Sequence, residues 1–221
     1  MIEGLIFDMD GTMVDNMMIH HQAWKRKLAS LGIEMTLAEI KAQVHGVNEE
    51  ILERLFGNRF LPEERKIISA EKEAEYRSIF ANQLTLLPGL EMVLQEAYDH
   101  GMPMAVGTAA PPENVDFVLD KLLLRKYFKG IVHARDVQRG KPDPETFIKA
   151  ANKIGVAPES CLVFEDSITG AQTARNAGCH AIIVTTTHSQ EEFVKFDHIL
   201  KFIQDFSEIN LSEILRLKLP T

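Results

Sequence analysis

Short runs of consecutive apolar residues are the feature that most constrains the fold of this chain. They cover residues 5–7, 104–106, 130–132, 161–164 and 181–184. A strand that is covered on both faces has a continuous apolar sequence, whereas a half-exposed strand alternates apolar and polar residues. The runs therefore predict strands that are buried on both faces.

Helical patterns separate these strands in the second part of the chain. They cover residues 91–98, 113–123, 145–154 and 169–177. Alternation of strands and helices predicts a parallel sheet with right-handed crossovers. The predicted fold is therefore an α/β protein with a doubly wound, Rossmann-like parallel sheet.

The segment from residue 17 to about residue 86 shows no strand pattern. Helices are predicted at 17–31, 48–55 and 62–80, and Thr36 and Glu39 form a capping box that opens another helix. The simplest interpretation is an all-helical domain inserted after the first strand. The predicted domains are a core of residues 1–15 and 88–221 and a helical domain of residues 16–87.

The composition is that of an ordinary globular protein, with 45% apolar and 25% charged residues. The net charge of −8 does not attract nucleic acid or an anionic membrane, so we expect neither as a partner. Cys161 and Cys179 stand in apolar surroundings without metal-ligand spacing, which favours buried thiols in a reducing compartment. Because no secretion signal or bilayer-length apolar run is visible, we expect a cytoplasmic protein.

Two acids, Asp8 and Asp10, follow the first predicted strand and precede Gly11 and Thr12. Alternate residues of an extended chain point to the same side, so both carboxylates start toward one small volume. Clustered carboxylates repel each other unless a cation or a proton lies between them. This pattern suits a hard metal ion and an anionic phosphate substrate.

Polar residues also follow the other predicted strands. They are Thr108 with Ala109, Lys141, and Glu165 with Asp166. Taken singly, each has an ordinary interpretation as a turn residue, a solvated lysine or an acidic pair at a helix N-terminus. Ligands of open parallel sheets bind beyond the carboxyl ends of the strands, so the joint occurrence of all these residues at strand ends predicts one site.

With these residues in place, the chain resembles the haloacid dehalogenase superfamily of phosphohydrolases and phosphomutases. The matching elements are Asp8-Met9-Asp10-Gly11-Thr12, Thr108, Lys141 in Gly-Lys-Pro-Asp-Pro-Glu, and Glu165-Asp166-Ser167 with Gly170. Asp15, His20 and Trp24 resemble the β-phosphoglucomutase-like group within that superfamily. The resemblance implies that the helical insertion is a mobile cap.

The resemblance also implies roles for the acids. Asp8 would be the nucleophile that forms an aspartyl-phosphate, and Asp10 would be the general acid and base. Mg²⁺ would be held by the Asp8 carboxylate, the Asp10 backbone carbonyl and Asp166. Glu165 would be either a further ligand or a residue that supports the ligands without contacting the ion. Because the dehalogenases lack an acid–base carboxylate at the position of Asp10, phosphoryl transfer is favoured over cleavage of a carbon–halogen bond.

The remaining motif residues would handle the phosphate. Thr108 and backbone N–H groups near Gly11 and Ala109 would donate hydrogen bonds to the phosphoryl oxygens. Lys141 would neutralise both the nucleophile and the phosphate. His20 resembles the cap-hinge histidine of the group.

Two departures argue against a mutase. β-Phosphoglucomutase has Lys-Gly-Val-Ser-Arg in its cap, where this chain has His45-Gly46-Val47-Asn48-Glu49. Glu49 thus replaces an arginine that holds the second phosphate, and residues 110–113 lack the lysine that the mutase has there. Glu49 either accepts hydrogen bonds from substrate hydroxyls or is a solvated helix acid; a part in binding is also open for His45.

The preferred prediction is therefore a Mg²⁺-dependent phosphatase that hydrolyses a small phosphomonoester such as a sugar phosphate, as a monomer. The main alternative is a hexose-phosphate mutase of the β-phosphoglucomutase type. A pyrophosphatase and a catalytically silent metabolite-binding protein rank lower. Loss of Asp8, Asp10 or Lys141 would be the sign of a silent protein, and all three are present.

Overall fold

A computed structural model describes residues 1–44 and 46–215 of the chain. His45 and residues 216–221 lie outside the described residues. The chain forms two compact units. One consists of Met1–Asp15 and Thr85–Thr221, and the other is Asn16–Leu84. They are called the sheet unit and the helical unit below.

The sheet unit contains a six-stranded sheet in which all neighbouring strands are parallel. The strands are β1 (Gly4–Phe7), β2 (Met104–Gly107), β3 (Gly130–Val132), β4 (Cys161–Glu165), β5 (His180–Val184) and β6 (Ile199–Ile203). Their order is β3-β2-β1-β4-β5-β6, so the winding direction reverses between β1 and β4. The predicted doubly wound parallel sheet is confirmed.

The apolar runs do not predict β6. This strand lies at the edge of the sheet, and its burial pattern is mixed, with Lys201 exposed in the middle. Edge strands are covered less completely and interrupt their apolar runs with charges. The apolar-run pattern, which predicts the other five strands, is therefore weak at this position.

Within the described residues of the helical unit, all regular secondary structure is helical. They are α1 (Met17–Ser30), α2 (Leu37–Gln43), α3 (Asn48–Phe56) and α4 (Pro62–Phe80), with one short 3-10 turn at Gly57–Arg59. The predicted capping box is confirmed, because the Thr36 hydroxyl accepts the Glu39 N–H and the Glu39 carboxylate accepts the Thr36 N–H. Apolar side chains of all four helices form the core of this unit, among them Trp24, Leu28, Ile40, Leu52 and Ile68.

The helices of the sheet unit are α5 (Leu90–Asp99), α6 (Pro112–Lys121), α7 (Glu145–Ile154), α8 (Ile168–Ala177) and α9 (Leu211–Leu215). Alternate strand residues pack into different clusters. Ile6 and Val163 join the core beneath α7 and α8, whereas the rings of Phe7 and Phe164 stack with centroids 4.8 Å apart. Burial of both faces explains why the strand sequences are continuously apolar. No helix in the described part of the chain is both long and apolar enough to span a membrane.

Candidate active site

The site begins at the point where β1 and β4 end side by side. Phe7 pairs with Phe164 in the parallel register, so Asp8, which follows β1, and Glu165, the last residue of β4, lie at the same level. The Asp8 N–H continues the ladder by donating to the Phe164 carbonyl over 3.0 Å. This is the topological switch point of the sheet, where open α/β sheets bind their ligands.

Three carboxylates converge at this point. One side-chain oxygen from each of Asp8, Glu165 and Asp166 lies within 4.8 Å of the others. The three residues are only 6%, 1% and 4% exposed, respectively. Carboxylates in such a cluster repel one another in a poorly hydrated place, so the cluster needs positive charge.

Lys141 supplies part of that charge. Its Nζ lies 2.7 Å from Asp8 Oδ1 and 2.6 Å from Glu165 Oε1, and its side chain is 7% exposed. The ammonium also lies 4.5 Å from the ring centroid of Phe147 on α7. Burial would lower the pKa of Lys141, but the attraction of Asp8 and Glu165 raises it, so the side chain is a permanent cation.

Glu165 is held at both oxygens. Oε1 faces Lys141, while Oε2 accepts the N–H groups of Asp166 and Ser167 over 2.9 and 2.8 Å. Ser167 is also the N-cap of α8, because its hydroxyl accepts the Gly170 N–H. Burial would raise the pKa of Glu165, but Lys141 and these donors lower it. Glu165 is therefore a fixed, ionised group.

The pKa values of the two remaining carboxylates, Asp166 and Asp8, are shifted upward, in the opposite direction to that of Glu165. Burial, together with repulsion from Glu165 and Asp8, raises the pKa of Asp166 well above its ordinary value. Burial also raises the pKa of Asp8 to about 7, although Lys141 opposes the shift. Three carboxyl groups face one ammonium here, so protons on Asp8 and Asp166 reduce the repulsion, and a divalent cation that replaced those protons would do the same.

The other predicted residues of the sheet unit follow the strands at the same side of the sheet, where the carboxyl ends of the strands lie. Thr108 directly follows β2 and is 1% exposed; its hydroxyl accepts the Ala110 N–H over 3.1 Å. Ala109 is exposed. Gly11 turns the chain after β1 with a φ of +78°, a conformation that glycine adopts without strain. Asp10, also after β1, is half-buried, and its carboxylate is not a member of the three-carboxylate cluster.

His20 and Glu49 belong to the helical unit. His20, on α1, stacks on the Tyr76 ring with centroids 3.9 Å apart, and its Nδ1 lies 2.8 Å from the Lys72 Nζ. Glu49 lies in the first turn of α3 and is half-buried. The structure thus gives His20 defined partners within its own unit.

Two threonines that the sequence prediction omitted also contact the site. The Thr187 hydroxyl donates to Asp166 Oδ2, and the Thr186 hydroxyl donates to the Gly11 carbonyl. Both follow β5, so they lie at the carboxyl end of a strand, as the predicted residues do. A search of every predicted strand end for polar residues would have found them.

Comparison with known proteins identifies a family and similar phosphatases. The family described as haloacid dehalogenase-like hydrolase matches residues 2–178. The chain is 34% identical to the fructose-1-phosphate phosphatase YqaB of Escherichia coli, over 82% of this chain and 95% of that protein. It is 31% identical to a phosphorylated carbohydrates phosphatase of Thermotoga maritima, over 82% and 84%.

Among solved structures, a β-phosphoglucomutase from Clostridium difficile superposes with a TM-score of 0.82 at 26% identity, covering 97% of this chain and 96% of that one. The family match covers most of the chain and includes every strand that forms the three-carboxylate cluster. The resemblance inferred from the motifs is therefore confirmed. The chain belongs to the haloacid dehalogenase-like hydrolases.

Proposed function

We propose that this hydrolase is a Mg²⁺-dependent phosphatase that acts on a small phosphomonoester, such as a sugar phosphate, through a phosphorylated Asp8. The observation that carries the proposal is the buried Lys141 ammonium, which bridges Asp8 and Glu165 beside Asp166 at the switch point of the sheet. A permanent cation next to a carboxylate nucleophile reduces the repulsion between that nucleophile and an incoming phosphate.

The donor set fits Mg²⁺. Its possible ligand atoms are carboxylate oxygens, which suit a hard cation, and its three carboxyl groups outnumber the single ammonium of Lys141. Lys141 already contacts Asp8 Oδ1 and Glu165 Oε1, so the ion would use other oxygens. Asp166 and the Asp8 carboxylate would hold the ion together with the Asp10 backbone carbonyl, while Glu165 holds Lys141 in place. When bound, Mg²⁺ supplies charge neutralisation and polarises the phosphoryl group.

The chain's own residues carry out the two transfers. An Asp8 oxygen attacks phosphorus, and the bond to the leaving alcohol oxygen breaks as Asp10 gives that oxygen a proton. Asp10, now a carboxylate, takes a proton from water as the water oxygen attacks the phosphorus of the aspartyl-phosphate. Phosphate leaves, and Asp8 is restored as a carboxylate. Transfer to water rather than to a second sugar position makes the enzyme a phosphatase.

Binding of the phosphoryl oxygens is assigned to Thr108, to the backbone N–H groups near Gly11 and Ala109, and to Lys141. Donors that are fixed before substrate arrives need no reorganisation during the reaction. Thr108 is fixed in this way, because its backbone N–H donates to the Val132 carbonyl over 3.0 Å and its hydroxyl accepts the Ala110 N–H.

The helical unit is assigned the role of a cap that selects the substrate and excludes water. His20 and Glu49 are its candidate substrate residues, and Glu49 would accept hydrogen bonds from sugar hydroxyls. The names of the Escherichia coli and Thermotoga maritima phosphatases support a phosphorylated carbohydrate as the substrate class. We propose further that the enzyme is monomeric and cytoplasmic, and that it has no nucleic-acid or membrane partner.

The test is phosphate release from a panel of sugar phosphates, nucleotides and pyrophosphate, with Mg²⁺ and with EDTA. We expect one sugar phosphate to be strongly preferred and EDTA to abolish turnover. Asp8→Asn should lower turnover by at least about 1,000-fold, roughly 4 kcal/mol in the barrier. Asp99→Asn, an exposed change at the end of α5, is the matched control and should leave turnover unchanged.

Full turnover in Asp8→Asn would overturn the mechanism. The mutase alternative has its own readout, because it converts one sugar phosphate into another without releasing phosphate. Phosphorus NMR of the same samples distinguishes isomerised substrate from free phosphate, and isomerised substrate alone would replace the phosphatase with the mutase.

A further inference from the structure

We propose that Thr187 is a positioning residue that orients the Asp166 carboxylate to bind a divalent cation. This inference rests on the proposed metal-dependent function and extends it to the loop after β5, which the catalytic motifs do not include.

The loop after β5 contacts both acidic loops of the site. The Thr187 hydroxyl donates to Asp166 Oδ2 in the loop that follows β4. The preceding hydroxyl, on Thr186, donates to the Gly11 carbonyl in the loop that follows β1. Two adjacent side chains therefore tie together the two loops that carry Asp8 and Asp166.

Asp166 differs from its neighbours in the kind of donor it receives. Asp8 and Glu165 each accept a hydrogen bond from the Lys141 ammonium, and Glu165 also accepts backbone N–H groups. Among the described residues, the side-chain hydrogen bond to Asp166 comes from the Thr187 hydroxyl. A neutral donor fixes the direction of a carboxylate without cancelling its charge. The hydroxyl therefore restricts the rotation of the Asp166 carboxylate without placing a second positive charge where a cation would bind.

Close packing restricts the same carboxylate further. A Cβ on Gly11 would overlap the Asp166 carboxylate and would lie 3.1 Å from Thr187 Oγ1. The backbone at Gly11 thus lies directly against the Thr187–Asp166 pair. Partners that orient metal ligands commonly contribute 10- to 100-fold to metal affinity, so the loss of this hydroxyl should be measurable at about that size.

The neighbouring Thr185 provides a matched control. Its hydroxyl donates to the Ile203 carbonyl of β6 over 3.1 Å and not to a residue of the carboxylate cluster. Thr185→Val therefore makes the same chemical change in the same loop. Thr187→Val removes the hydroxyl at constant volume, Thr187→Ser keeps it, and Thr187→Ala removes it in a smaller side chain.

The experiment is a calorimetric titration of each full-length variant with Mg²⁺ in the absence of substrate. We expect Thr187→Val and Thr187→Ala to bind Mg²⁺ about 10-fold or more weakly than the native chain. Thr187→Ser and Thr185→Val should bind it as the native chain does. Phosphate release by Thr187→Val should recover at high Mg²⁺, whereas a purely structural defect would persist.

The outcomes separate the two proposals. Equal Mg²⁺ affinity in the native chain and in Thr187→Val or Thr187→Ala overturns the role of Thr187 alone. Weak binding by Thr187→Ser overturns it as well, because the hydroxyl is then not the group that matters. A native chain that binds no Mg²⁺ overturns this inference and the metal-dependent function together.

Discussion

At the residue scale, the site depends on a glycine that makes room for a charged group. Gly170 lies on α8, and a Cβ built there would overlap the carboxylate of Glu165. Alanine is ordinarily favoured over glycine inside a helix by about 1 kcal/mol. At this position we expect the opposite, because Gly170→Ala would displace Glu165 from Lys141. Phosphate release should fall by at least about 10-fold, and thermal stability should not rise.

Thr169→Ala provides the comparison for that variant. Thr169 is the preceding residue on the same helix and is exposed. Alanine there raises helix propensity without adding a group near Glu165, so activity should stay at the native level. Native activity in Gly170→Ala would show that Glu165 can shift without consequence for Lys141.

At the scale of elements, α4 buries an ion pair that supports the helical unit. Lys72 is 2% exposed, and its Nζ lies 2.9 Å from Glu73 Oε1. Glu73 also accepts from Asn48 Nδ2 at the start of α3 over 2.7 Å. Burial would raise the pKa of Glu73, but Lys72 and then His20 lower it to about 2. The stabilisation from this shift is present above the ordinary value of 4.5 and is lost as the pH falls toward 2.

Removal of the Glu73 charge should therefore destabilise the helical unit at neutral pH. A buried pair that loses one partner costs roughly 3 kcal/mol or more, because the other charge stays buried. We expect this loss in Glu73→Gln. Denaturant unfolding followed by fluorescence measures it well, since Trp24, the single tryptophan of the chain, is buried in this unit.

Glu71→Gln is the matched control on the same helix. Glu71 pairs with Lys27 at 3.0 Å, but its side chain is 57% exposed. An exposed pair contributes about 0–1 kcal/mol, so this variant should unfold close to the native midpoint. Equal losses of unfolding free energy in Glu73→Gln and Glu71→Gln would show that burial of the Lys72–Glu73 pair does not set its contribution to stability.

The elements differ in how well their sequences predict them. Continuous apolar runs predict five of the six strands, including the edge strand β3, and helical periodicity predicts helices of the insertion, where the capping box at Thr36 locates the start of α2. β6 is not predicted, because an edge strand carries a central lysine and shows no continuous apolar run. The acidic motifs point to Asp8, Glu165 and Asp166, because they occur together with Thr108 and Lys141 at the ends of several predicted strands. Thr187 also follows a predicted strand, but threonine is an ordinary strand and turn residue, and only the fold places it beside Asp166.

At the scale of the whole molecule, the pH dependence of stability combines contributions of opposite sign. Burial raises the pKa of Asp8, so the folded state binds this proton more tightly and loses stability as the pH rises toward 7. Two histidines at the start of β5 and before β6 act in the other direction. Burial lowers the pKa of His180 and of His198 from the ordinary value of 6.5. The unfolded chain then binds these protons more tightly, and stability falls as the pH drops below 6.5.

A comparison of variants separates the two contributions. The double variant His180→Gln, His198→Gln removes only the histidine contribution, so its free energy of unfolding should rise relative to that of the native chain as the pH falls from about 7.5 to about 5.5. Urea unfolding at several pH values measures the difference between the two chains. Above about pH 8 both histidines are neutral in the folded and unfolded states, so that difference should become constant. A difference that does not change with pH over the whole range would show that these histidines affect stability through packing and not through proton binding.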